Sequence, residues 1–222
     1  MGKILGPRSC SNVVRGSRGR VPRSKTGSTA AGTGCDHRLV PASRRELLRW
    51  QFDFTWSLFE YHLDRLRPDD FLWEPGPHCW TVHRDDAGLW RPDFAETEPD
   101  PVPVPTVAWL SWHIGWWWRT TLDHAEGREA PDRAEITWPG DGAAAVAWLR
   151  GLRADWLAVL DRLTDADLDA EAPFPWPRDS GHTVAHMVAW VNSELMKNVS
   201  EIGQLRLLHA TTTDGDRGRV SG

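Results

Sequence analysis

The sequence predicts an all-α protein, a four-helix bundle with a long Trp/Pro-rich crossover between its first and second helices. Three observations predict it. Four segments repeat apolar residues at the helical period, helix-start and helix-stop residues bracket them, and no strand-like alternation competes. Fifteen tryptophans stand against one tyrosine, enough indole both to fill core volume and to line a pocket for a flat or cationic molecule.

Ser43-Arg44-Arg45-Glu46 is a capping-box sequence, and the helix it opens is expected to run to about Arg67, where Pro68 stops it. Leu48, Phe52, Phe59, Leu63 and Leu66 supply its apolar side. The crossover follows, about 38 residues from Pro68 to Pro105, against roughly 2–8 in ordinary helix–helix connections. It carries FLWEPGPHCWTV and Trp90, which suits a semi-rigid cover over one bundle end. Thr106 to about Ala125 forms the second helix, between PDPVPVP and Gly127. Asp141-Gly142 introduces the third, with Ala145, Leu149, Leu152, Trp156, Leu160 and Leu163 at helical spacing. A second Pro/Trp segment, APFPWPRD, precedes the fourth helix, which starts near Ser180-Gly181 and passes Leu208. On a helical wheel its Val184, Val188, Val191, Leu195, Val199 and Ile202 fall in one narrow arc.

Composition divides the chain into residues 1–40, 41–210 and 211–222. The first segment is rich in Gly, Ser, Thr and Arg. Its eight Lys/Arg and one acid give +7, leaving −12 for the remainder of a chain whose net charge is −5. It reads as a disordered basic extension, the middle as the bundle domain, and 211–222 as a disordered tail. An acidic body argues against a nucleic-acid partner. Cys10, Cys35 and Cys79 make no disulfide framework, and no apolar run is long enough for a membrane span or a secretory signal. A cytoplasmic, reducing compartment is the expectation.

Two polar constellations stand out. His113 lies among Trp109, Trp116 and Trp117 on one side of the second helix. It is either a structural imidazole bonded to a carbonyl or a ligand shared with the fourth helix. Glu194, Asn198 and Glu201 follow one another at i, i+4 and i+7 along the flank of the fourth helix's apolar arc. They form either an exposed flank, with Lys197 and Arg206 as charge partners, or one wall of a metal or polar-ligand site. His182 and His186 lack the glutamate of the HExxH zinc signature and fall away from the apolar arc, so they read as a solvated pair. His78, Cys79 and His83 match no zinc spacing.

The second-helix histidine in LSWHIGW, the terminal EIGQLR at Glu201–Arg206 and the Trp-rich EPGPHCWTV together resemble the DinB-like family, over about residues 43–209. The resemblance implies a four-helix bundle holding a divalent metal (Zn, Ni or Mn) between helices two and four, by one histidine from helix two and two ligands from the last helix. His113 matches the first position. In one alignment Lys197 and Glu201 stand at the other two; in a second, Glu194 and Asn198 do. The second is favoured, because Asn198 lies about 80° from Val188 on the wheel whereas Lys197 lies about 180° away. The implied metal set is therefore His113, Glu194, Asn198 and Glu201, a departure from three histidines. The implied activity is thiol transfer or hydrolysis of a small electrophile with a low-molecular-weight thiol. Trp80, Trp116 and Trp117 would border the substrate, no catalytic residue is assigned, and a homodimer is one expected assembly. The alternative is a non-catalytic or stress-associated bundle that has lost the metal and binds a small molecule.

Overall fold

A computed structural model describes residues 43–219, with side chains through Thr212. The expected extension over residues 1–40 lies outside the described residues. Four helices make up the bundle: α1 (Arg44–Leu63), α2 (Val107–Ala125), α3 (Gly142–Arg162) and α4 (Val184–Arg219). α1 packs chiefly on α4, and α2 on both α3 and α4.

α1, α2 and α3 begin where side-chain oxygens satisfy their orphan amides. Ser43 and Glu46 close the capping box of α1. Thr106 accepts from the Trp109 N–H, and Asp141 from that of Ala144. At α4 the acceptor is a ring nitrogen: His186 Nδ1 takes the Thr183 N–H at 3.0 Å. Gly127 follows α2 with φ +68°, the left-handed conformation that lets the chain leave a helix without a Cβ clash.

Two helix ends differ from the sequence expectation. α1 stops at Leu63 rather than near Arg67, because Asp70 turns back to accept from the Arg67 N–H at 2.7 Å and draws Pro68–Asp70 into a 3-10 turn. α4 opens at Val184, a few residues after the expected start near Ser180-Gly181, and passes Leu208 as expected, continuing to Arg219.

The core is aromatic. Phe52, Trp56, Phe59, Trp112, Trp118 and Trp156 are buried, and all six residues of the predicted α4 arc are buried opposite them. Phe52, Trp56 and Trp118 meet with ring centroids 5.8–6.5 Å apart, at the tilts and offsets that aromatic quadrupoles favour. Burial of such side chains contributes roughly 1.5–3 kcal/mol each, which outweighs the modest helix propensity of tryptophan.

The crossover is not irregular throughout. β1 (Cys79–Trp80) pairs in parallel with β4 (Val104–Pro105), and β2 (Val82–Arg84) pairs antiparallel with β3 (Trp90–Pro92). Strands of two or three residues are too short to show a period of two. The first pairing matters most for position, since it fixes Trp80 beside the start of α2.

Candidate functional site between the second and fourth helices

Along α2, Trp80 of the crossover stacks on Trp109 (5.0 Å, 22°), Trp109 stacks on His113 (5.0 Å, 10°), and His113 abuts Trp116 (5.7 Å). Trp116 thus borders the imidazole directly, whereas Trp80 reaches it only through Trp109. His113 makes no hydrogen bond to any described residue, so the structural role of a carbonyl-bonded histidine is not the one it plays. Burial among indoles pushes its pKa down to about 3, and the positive charges of Lys197 and Arg133 push the same way. The ring is neutral throughout the physiological range and offers both a lone pair and an N–H.

On α4, Asn198 is buried, while Glu194 and Glu201 are half-buried. Trp117 donates its indole N–H to Asn198 Oδ1 at 3.3 Å, and Asn198 Nδ2 donates to Glu201 Oε2 at 2.8 Å. Glu194 is held by Lys197, whose Nζ lies 2.5 Å from Oε2. Trp117, expected to border substrate, is instead enclosed in the core and supports Asn198 from below. The side of α4 read as either a solvated flank or a ligand wall is thus a hydrogen-bonded relay fixed to α2.

The residues present do not fit a divalent metal. His113 supplies a neutral nitrogen, but both ends of the Asn198 amide are engaged, Glu194 is neutralised by an ammonium, and that ammonium's charge acts on His113 itself. Among the described residues no group of three or more His, Cys, Asp or Glu side chains is placed to hold a metal ion. The His78/Cys79/His83 trio also diverges: Cys79 Sγ donates to the Gly76 carbonyl, and His83 turns to Asp93.

A groove of about 560 Å³ adjoins this site, walled by Val102, Val104 and Pro105 of the crossover and by Glu201, Leu205 and Leu208 of α4. Glu201 belongs both to the groove and to the relay, and β4 ties the groove wall to the strand that carries Trp80.

Lys197 pairs with Glu194, as its reading as a surface charge partner expects, and its positive charge also acts on His113. Sequence reasoning missed the surroundings of His182. His182, expected to be solvated, is half-buried: it stacks on Trp176 at 4.2 Å and 8°, and Trp176 continues through Trp190 to Trp117. His186 beside it is exposed and caps α4. Trp176 in APFPWPRD was the available signal for that cluster.

The family model for the DinB superfamily matches residues 51–202. The comparison with curated proteins found no match. Among solved structures, the chain is similar to a crystal structure described as the conserved protein of locus from Enterococcus faecalis. That likeness has a TM-score of 0.53 and 12% identity, and covers 75% of this chain and 97% of that one. At this identity it shows the fold alone. Among the described residues, no helix is long and apolar enough to cross a membrane.

Proposed function

The chain belongs to the DinB superfamily, and from that premise we propose that it binds a small molecule directly at the α2–α4 face. The apolar part of the ligand lies in the groove beside Glu201, and its polar group meets Lys197 and His113. One observation carries this reading. The α4 residue whose charge acts on the neutral His113 ring is a lysine, half-exposed and paired with Glu194. A cation beside a neutral imidazole, with indoles limiting water access, suits a carboxylate or a thiolate.

A low-molecular-weight thiol fits that chemistry as ligand or cosubstrate. An adjacent ammonium lowers a thiol's pKa and favours the nucleophilic thiolate. The proton that the thiol releases would pass to solvent, because His113 stays neutral; the imidazole would only hydrogen-bond the ligand, and Trp80 and Trp116 would flank the electrophile. Thiol transfer on this scheme needs no Zn, Ni or Mn. The metal-dependent version would require Lys197 to withdraw and Glu194 to be released.

Calorimetric titration of the full chain, with glutathione as the probe thiol and Zn²⁺ in a separate arm, tests the reading. Saturable thiol binding that disappears in Lys197→Ala and shifts the Trp80 and Trp116 indole N–H resonances is expected. Stoichiometric, tight Zn²⁺ binding by the wild-type chain would overturn the direct-binding site in favour of the metal-dependent one. Silence in both arms would overturn the choice of a thiol.

A further inference from the structure

The outward face of α1 carries a stripe that the bundle does not use. Leu47, Trp50, Phe54, Leu58 and Tyr61 are exposed by 58, 63, 57, 37 and 48%. The remaining residues of that face, Gln51 and Ser57, are also uncharged. The charged residues of α1 lie to the side, where Arg49 pairs with Asp161 and Glu60 with Arg150 of α3. An exposed helix face ordinarily carries charge. From Leu47 to Leu58 this one has none, and at Tyr61 the Arg65 guanidinium lies 3.8 Å over the ring.

The spacing is informative. Leu47, Phe54 and Tyr61 recur every seven residues, with Trp50 three residues after the first and Leu58 four after the second, the alternating three-and-four spacing of one helix face. Trp50 and Phe54 already stack on each other at 5.8 Å, forming a flat aromatic ridge at the centre of the stripe. From Leu47 to Tyr61 the seam is about 21 Å long at 1.5 Å per residue.

We infer that this face is the interface with a second copy of the chain, α1 against α1 across a two-fold axis. Large aromatic side chains present roughly 150–250 Å² each. The exposed fractions of the three aromatics and two leucines therefore leave about 500 Å² of apolar surface outward. That reaches the upper range of apolar patches on monomers, roughly 300–600 Å². It also supplies most of the roughly 800 Å² per partner that a stable interface buries, before any polar rim is counted. A two-fold contact needs a self-complementary patch. The central Leu47–Leu58 part of the stripe, which carries no charge, meets its own copy with no like-charge repulsion, and aromatic anchors at its centre are where binding energy concentrates.

Sedimentation velocity of the full chain from about 1 to 100 μM tests the inference. A dimer is expected across the upper range. Trp50→Glu with Phe54→Glu is expected to raise the dimer dissociation constant at least about 100-fold, as loss of central aromatic anchors does, with far-UV helicity unchanged. Should that pair of charges unfold α1, Leu47→Gln and Leu58→Gln, which keep helix propensity, provide the second measurement, with an expected weakening of about tenfold. A monomeric wild type at 100 μM overturns the inference, including the case in which residues 1–42 cover the stripe within one chain. A dimer indifferent to both sets of substitutions overturns the α1 seam.

Discussion

Trp117 and Asn198 are joined across the α2–α4 contact by an indole N–H donated to the amide oxygen at 3.3 Å, and the same amide passes its own N–H to Glu201 at 2.8 Å. One buried side chain thus converts a core tryptophan into the support for a carboxylate at the groove. The arrangement explains why a polar residue is tolerated inside an apolar seam: each end of the amide is satisfied, so its desolvation is offset.

Removing that amide should be costly. Asn198→Leu leaves the Trp117 N–H buried without an acceptor, and a destabilisation of about 1–3 kcal/mol is expected by urea denaturation. Asn198→Asp keeps the acceptor but sets two carboxylates together, which raises their affinity for protons in the folded state. Its deficit should therefore grow from pH 5 to pH 8. A Leu variant within 0.5 kcal/mol of wild type, a threshold about the size of ordinary surface effects, would show the relay to be incidental.

The His113 imidazole should not titrate near neutrality. Its folded pKa is pushed down to about 3 by burial and by the charges of Lys197 and Arg133, against an unfolded value of 6.5. The unfolded chain takes up a proton that the folded chain refuses, so stability is unaffected above about 6.5 and declines as pH falls from there toward 3. His62, also lowered by burial and by Arg206 and Arg65, contributes in the same direction. Comparing the pH slope of wild type with that of His113→Gln isolates His113. A shallower slope is expected in the variant, and a His113 ring resonance that moves between pH 7.5 and 6 in wild type would contradict the assignment.

The bundle was legible because its signals are local. Ser43, Thr106 and Asp141 announce helix starts within four residues of sequence, and Val188, Val191, Leu195 and Val199 announce the buried stripe of α4. What was not legible depends on residues far apart in the chain. The early end of α1 follows from the turn capped by Asp70, which His209 contacts from α4 at 2.6 Å. The stacking of His182 requires Trp176 to fold back. The helical wheel placed Asn198 on a flank but could not show Trp117 covering it. Nor could it show a long lysine side chain bringing its charge to bear on another helix.

Two glycines should respond to alanine with opposite signs. At Gly203 in α4 a Cβ would fall 2.6 Å from His62 Nε2, inside a buried contact with α1. Gly151 in α3 has nothing within 4 Å of that position. Gly151→Ala should gain about 0.5–1 kcal/mol from helix propensity. Gly203→Ala should lose about 1–3 kcal/mol, because overpacking outweighs the same gain. Thermal unfolding of the two variants measures both. A stabilised Gly203→Ala would mean that His62 moves freely.

The two alignments of α4 with a metal-binding pattern can be separated by adding a histidine at each. The wheel favoured Asn198, since it lies nearer the apolar arc. The structure gives reasons to reverse that preference. Asn198 is enclosed, and a histidine there must displace the Trp117 and Glu201 bonds before it can bind anything. Lys197 is half-exposed, and its charge already acts on His113. Lys197→His removes the ammonium that repels a cation, frees Glu194, and adds an imidazole to α4, with Glu194 and Glu201 on the same helix as carboxylate donors. Imidazole and carboxylate together suit Zn²⁺. Calorimetric titration should therefore show Zn²⁺ affinity rising at least about tenfold in Lys197→His, an increment of about 1.4 kcal/mol, and no gain in Asn198→His. The opposite ranking would restore the Glu194/Asn198 alignment and place the cation-binding side of α4 one residue further round the helix.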